Sequence, residues 1–264
     1  TLMRQTVTPP QLRFTFVDQG PAARFNQPVN VDLVLDIGNS RTCGMLMETS
    51  SDRSVDTNDS YRLTLRDLSH PEQIYNEPFP SRIEFARGGF GDDKLSRRSG
   101  RPGAFLWPTV TRVGFEAQAL AALSHDAEGG TGLSSPKRYL WDTTLRQHPW
   151  RFNPGLDDPG NAGGPVTSGP LVSHLREDGE EKAADDPPAL AALFSRGALM
   201  TFLVAEVLLQ AFVQANSPAH RYERHYPEAP RRLRRLILTM PTAMPLAERK
   251  LFARRVQSAL RLTW

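Results

Sequence analysis

VDLVLDIGNSRTCGMLM, residues 31–47, is an apolar run interrupted in its middle by Asp36, Gly38, Asn39, Ser40, Arg41 and Thr42. Polar residues in such number suit no buried strand, so the stretch predicts two strands of one hairpin joined by a tight, exposed turn. Gly38 opens backbone conformations that a Cβ forbids, and successive N–H groups around such a turn can converge into an anion nest. Asn39, Ser40 and Thr42 add side-chain donors. An acid two residues before the glycine would lie beside bound phosphates, where a hydrated magnesium ion takes one or two carboxylates and keeps its other waters. Hairpins with Asp and Gly at the turn are also common structural elements, so the residues alone leave both readings open.

Outside this stretch the other phosphate signatures are missing. There is no G-x-x-x-x-G-K-[ST], no G-x-G-x-x-G between strand and helix, no H-E-x-x-H, and the six histidines are scattered. Over 264 residues, 32 Lys plus Arg against 29 Asp plus Glu leave a net charge of +3, too small to argue for nucleic acid. The most basic segment, RRLRRLILTM at 231–240, reads either as a solvated lead-in to a strand or as an anion or partner patch. Cys43 is the single cysteine, which excludes an intrachain disulfide and a multi-cysteine zinc site and fits a cytoplasmic protein. The chain opens on Thr1, as an excised fragment would, so the missing signal peptide carries no weight. GALMTFLVAEVLLQAFV, residues 197–213, is 17 residues long, at the lower limit for a membrane span. Glu206 at its centre would cost about 2.5–3.5 kcal/mol in a bilayer, which favours a buried helix and no membrane span.

Strand-like alternation occurs at QLRFTFVD (11–18), YRLTLRDL (61–68) and SRIEF (81–85) as well as in the hairpin. A helix is expected to begin at VGFEAQALAAL (113–123). Between 153 and 188, Gly, Pro and acidic runs dominate, a composition expected of a mobile linker that buries too little to offset its ordering entropy. Order is expected to return with the 197–213 helix, the strand RLILTM (235–240), a PTAMP turn and a helix over 246–260, with RLTW (261–264) starting another strand. No internal repeat is visible.

Five landmarks in order carry a resemblance. LDIGNSRTCGML (35–46) resembles the first phosphate loop of the superfamily of actin, sugar kinases and heat-shock chaperone ATPases; PSRIEF (80–85) resembles its Pro-Ser strand. VGFEAQALAA (113–122) is similar to its Val-Gly helix start, and SPKRYLWD (135–142) to the chaperones' Lys-Arg helix. LILTMPTAMPLAERKLFARRVQSAL (236–260) is similar to a chaperone strand, Pro turn and helix with an Arg eight residues after the Pro, here Pro241 and Arg249. The resemblance implies an α/β fold, an actin-like (ribonuclease H-like) lobe with a mixed sheet flanked by helices and an inserted smaller subdomain. It divides the chain into an extension (1–28), a first core part (29–85), the insertion (86–190) and a second core part (191–264). It further implies ATP and Mg2+ as cofactors, Asp36 as the metal-side and catalytic carboxylate, and Gly38, Asn39, Ser40, Arg41 and Thr42 as the phosphate loop. Lys137 matches the lysine that contacts the γ-phosphate and the attacking water, where an ammonium stabilises developing charge. Pro241 and Arg249 match a relay between nucleotide and protein surface.

Two departures accompany the resemblance: Leu246 stands where the chaperones have an acid, and Arg41 puts a bulky cation in the loop. The superfamily's second phosphate loop, further acid and adenosine pocket do not occur, so the chain is expected to supply half a cleft, the first lobe only, and not to turn over ATP alone. The wording of 33–50 and 238–249 resembles most the SrfB virulence-factor family of long bacterial proteins. Three functions follow as expectations: an ATP-binding module signalling to a protein partner or a missing second lobe, a small-molecule kinase of sugar or pantothenate type, and a non-catalytic interaction protein that kept the fold.

Overall fold

A computed structural model describes residues 28–49, 59–86, 107–124, 129–154, 163–167, 171–183, 185–186 and 192–263. Strands β1 (Val29–Ile37) and β2 (Arg41–Thr49) form the expected hairpin, closed by the pair Ile37 and Thr42. β3 (Ser60–Arg62) lies against β2, and β4 (Leu65–Arg66) pairs with β5 (Ile74–Tyr75). β6 (Phe79–Pro80) touches β2, and β7 (Arg82–Phe85) centres a third, antiparallel sheet between β8 (Thr111–Val113) and β9 (Gly132–Ser134). Helix α1 (Gly114–Leu123) follows β8 directly. The last part of the chain runs α2 (Leu199–Asn216), α3 (Pro218–Tyr222), β10 (Arg231–Leu238) and α4 (Leu246–Thr263).

β10 joins the first sheet parallel to β1, giving the order β10-β1-β2-β3 and making the sheet mixed. A parallel neighbour needs a crossover, which the long segment containing α2 supplies. Alternation in β1 sends Val31, Leu33, Leu35 and Ile37 into the core formed with α2 and α4, where Phe202, Leu203, Phe252 and Val256 are buried. On the other face, Val34 pairs with Met45 and Ile237, which are 43% and 42% exposed.

α2 is the one helix among the described residues long and apolar enough to cross a membrane, and 78% of it is buried inside the protein. Glu206, fully buried at its centre, accepts hydrogen bonds from Trp107 Nε1 (2.8 Å), Gln210 Nε2 (3.1 Å) and the Thr109 hydroxyl. Its polar cost is thereby met within the fold.

Several sequence expectations change. YRLTLRDL is not one strand: it breaks after Arg62, because glutamines of α2 replace a strand partner. Thr64 N–H donates to Gln214 Oε1 and Arg66 N–H to Gln210 Oε1, while the two side-chain amides donate back to the Arg62 and Arg66 carbonyls. RLTW starts no strand: α4 continues through Thr263, whose hydroxyl donates to the Ala259 carbonyl, and Trp264 lies outside the described residues. The basic run is not simply a solvated lead-in. Arg231 is buried and holds Glu48 through Nε (3.2 Å) and Nη2 (3.1 Å); Arg234 grips Asp32 through Nε (2.9 Å) and Nη2 (2.7 Å). A register shift between Val31 and Asp32 leaves Arg234 as the extra residue of a bulge, so that Arg235 also reaches Asp32 at 3.4 Å. QLRFTFVD lies outside the described residues. Of the 153–188 stretch, the described parts include Val166, Leu171, Val172 and Leu175, all buried in the core.

Candidate functional site at the first hairpin

The turn between β1 and β2 is tight because Gly38 N–H donates to the Arg41 carbonyl at 2.9 Å. Gly38 does not have a positive φ; its need for glycine is one of space, since an added Cβ would stand 2.6 Å from that same carbonyl oxygen. Ser81, just before β7, locks the turn from behind. Its hydroxyl donates to the Gly38 carbonyl (2.8 Å), its N–H to the Ser40 carbonyl (2.9 Å), and it receives the Thr42 hydroxyl at 2.8 Å. Thr42 is therefore fully buried and fixes the loop, whereas Asn39, Ser40 and Arg41 face solvent. Arg41 Nη1 is drawn to the Pro78 carbonyl at 2.9 Å.

Asp36 is exposed on the penultimate residue of β1. β10, running parallel, delivers Thr239 beside it: Thr239 N–H donates to the Leu35 carbonyl (3.0 Å) and its hydroxyl to Asp36 Oδ1 (2.7 Å). From a third direction comes Lys137. Ser135 takes the left-handed conformation (φ 53°, ψ 53°), Pro136 opens a single 3-10 turn over Pro136–Tyr139, and the lysine is thrown inward. Lys137 is buried; its Nζ donates to the Ile37 carbonyl at 2.6 Å and stands 5.3 Å from the centre of the Phe252 ring. Burial lowers its proton affinity, and the charges of Asp36 and of Glu248, in the first turn of α4, oppose that fall. Three distant segments thus converge on the hairpin. A family model described as virulence factor SrfB matches residues 1–264.

The chain belongs to the SrfB virulence-factor family. No curated protein and no solved structure matches it.

In this SrfB chain Pro241 and Arg249 both brace the turn leading into α4, each through Met244. Met244 N–H donates to the Pro241 carbonyl (3.1 Å), and the Arg249 guanidinium holds the Thr242 (2.6 Å) and Met244 (2.9 Å) carbonyls. Leu246 is 67% exposed, and the acid nearest the hairpin on α4 is Glu248 instead. Ser81, Thr239 and Glu248 are the site residues that sequence reasoning missed. The first two stand inside quoted landmarks as unremarked hydroxyls; the third lies two residues past the departure at Leu246. Cys43, exposed and opposite Asp36 in the SrfB hairpin, has its thiol pushed up by partial burial and then by that carboxylate, which keeps it a poor nucleophile. Among the described residues no three His, Cys, Asp or Glu side chains gather as a metal site, so a cation here would rest on Asp36 and on oxygens brought by water and ligand.

Proposed function

We propose that the chain carries the phosphate-side half of an ATP site in an actin-like lobe, with Mg2+ held at Asp36 and the Asn39–Ser40–Arg41 turn against the phosphates. The observation that carries this reading is Lys137: a buried ammonium whose hydrogen-bond partner among the described residues is one neutral carbonyl, on the last residue of β1 and beside the Asp36 charge. Burial of an ammonium is costly unless an anion or good acceptors meet it, and a phosphate at the turn would do so. The donor set fits the group. Asp36 Oδ1 takes the Thr239 hydroxyl and leaves Oδ2 to accept from metal-bound water, while Asn39 and Ser40 stand open to solvent. Magnesium, when bound, supplies charge neutralisation on phosphate oxygens. In a completed cleft Lys137 would stabilise the charge that develops on the phosphoryl group as water or an acceptor oxygen displaces the leaving oxygen. The order β10-β1-β2-β3, with only β10 parallel to β1, supports the lobe reading because such a lobe sets an antiparallel meander beside a parallel strand reached by a helical crossover.

In this reading the Pro241–Arg249 turn passes occupancy of the loop to α4, and a second lobe or a protein partner closes the cleft in the bacterial cytoplasm. A second reading rests on Gly38: its N–H is spent on Arg41, which leaves the nest one donor short and suits an interaction protein that kept the fold without the site. Titration of the full chain with ATP and Mg2+ by calorimetry separates them. We expect magnesium-dependent binding that Asp36→Ala weakens by about tenfold or more, the loss of one charge-assisted contact. Equal affinity in both proteins would refute the assignment. Binding by neither supports the interaction protein, and turnover only with an added sugar or pantothenate acceptor supports a kinase.

A further inference from the structure

A cavity of about 420 Å³ opens on the far side of the Lys137 turn, between the segment that follows it and the turn preceding α2. Its wall includes Tyr139, Asp142, Leu145, Arg146, His148 and Arg196. Close packing creates it. Gly197 donates its N–H to the Asp142 carbonyl (2.9 Å), and an added Cβ would stand 2.8 Å from that oxygen and 3.0 Å from the Tyr139 and Leu140 carbonyls. The backbone bearing Arg196 is therefore clamped against the turn bearing Tyr139 and Asp142.

Each arginine lies over an aromatic ring. The Arg146 guanidinium lies 3.7 Å from the centre of the buried Trp150 ring and donates through Nη1 to the Gly129 carbonyl. Trp150 is itself fixed, its Nε1 donating to the Phe194 carbonyl at 2.7 Å. The Arg196 guanidinium lies 5.2 Å from the centre of Tyr139. Among the described residues the carboxylate that reaches either guanidinium is Asp142, at 3.9 Å from Arg196 Nε, outside hydrogen-bond range, and its other oxygen takes the Thr144 N–H. Burial lowers the proton affinity of Arg146, and the charge of Arg196 lowers it further, so the two cations feel one another across the cavity.

Two guanidiniums on one cavity, Arg146 stacked on Trp150 and the more exposed Arg196 paired only loosely with Asp142, make a fork for an oxyanion, and Tyr139, Leu133 and Leu145 supply an apolar wall beside it. We propose that this cavity binds a small molecule with a phosphate or carboxylate group on a flat apolar body, the anion between Arg146 and Arg196 and the body against Tyr139 and Leu145. The site is separate from the hairpin: Lys137 leaves the same turn in the direction of Ile37, while Tyr139 and Asp142 face this cavity. The proposal stands whether or not ATP binds.

The test is titration of the full chain with phenyl phosphate, benzoate and inorganic phosphate, read by calorimetry and by tryptophan fluorescence, since Trp150 lies under the fork. Saturable binding of phenyl phosphate or benzoate is expected, tighter than that of inorganic phosphate. Arg196→Gln, which leaves the buried Trp150 contact intact, should weaken it about tenfold or more, as expected for one charge-assisted hydrogen bond. Arg146→Lys keeps the charge but loses the fork and should weaken it too; its melting curve is read alongside, because Arg146 also braces Trp150 and the Gly129 carbonyl. No saturable binding of any probe overturns the proposal. So does equal affinity for phenyl phosphate and inorganic phosphate, or phenyl phosphate binding that is unchanged in Arg196→Gln, which would place the anion outside this cavity.

Discussion

The seam between β1 and β10 has a closed end and an open one. At its start Arg231 is buried under the sheet with Glu48 and also donates to the carbonyls of His225, Tyr226 and Ala229, each at 2.8 Å. One turn of the pleat further, on the opposite face, Asp32 is 5% exposed and gripped by Arg234 and Arg235. At the far end, on the same face as Asp32, the partner of Asp36 among the described residues is the hydroxyl of Thr239. Identical chemistry, a carboxylate on a strand, serves structure where the neighbouring strand brings arginine and stays available where it brings threonine.

The largest expected effect is at the closed end. Burial pushes the Glu48 carboxyl up, yet the His220 ring 3.7 Å away and the hydrogen-bonded Arg231 guanidinium more than compensate, holding it below the ordinary glutamate value. Tyr61 adds its hydroxyl at 3.2 Å. Glu48→Ala would leave Arg231 buried and without its carboxylate, a loss of about 3–5 kcal/mol measured by urea unfolding. A double variant, Glu48→Leu with Arg231→Met, should recover much of it, because the desolvated charge is then gone as well. A loss below about 1 kcal/mol in Glu48→Ala would erase the distinction between the two ends.

That contrast was only partly legible in the sequence. The hairpin was, because alternation and turn chemistry are local properties, and so were the cores of α1, α2 and α4, where apolar spacing is decisive. The pairing of Arg231 with Glu48 was not: its partners are 183 residues apart, and a run of arginines on its own looks like solvated charge. Lys137 entered through resemblance alone, since a lysine after Ser-Pro carries no sign that a left-handed serine will turn it inward. Thr239 and Ser81 stayed hidden for a similar reason. Their hydroxyls matter only through contacts 203 and 43 residues away, which strand pairing brings about and composition does not.

Asp32 offers an intermediate test, in which pH does the sharpening. Hydrogen bonds from Arg234 lead the causes that hold its carboxyl below 3.8, outweighing the upward push of burial. The folded protein therefore binds this proton more weakly than the unfolded chain does. The stabilisation is present above pH 3.8 and is lost as pH falls through the lower folded value. Asp32→Asn should lower the melting midpoint by about 2–4 °C at pH 7, because both arginines are open to solvent and screened. The two melting curves should converge in acid. A gap that persists below pH 3 would mean that Asp32 acts through packing, and the comparison with Asp36 would lose its electrostatic basis.

The smallest expected effect is the one that bears on function. Asp36→Ala removes a single exposed hydrogen bond to Thr239 and should change unfolding stability by less than about 0.5 kcal/mol, because surface groups away from the core contribute little. The same substitution is expected to have a large effect on magnesium-dependent nucleotide binding, and the disproportion is the point. A carboxylate retained for the fold would lose stability and binding together; one retained for a ligand loses binding alone. Thr239→Val sharpens this further, since it removes the hydroxyl and leaves the carboxylate, freeing both oxygens of Asp36. If Thr239 merely orients the acid, binding should weaken less than in Asp36→Ala, with stability again within about 0.5 kcal/mol. A stability loss of about 1.5 kcal/mol or more in either variant, by the same unfolding measurement, would show the open end of the seam to be a structural contact like the closed one.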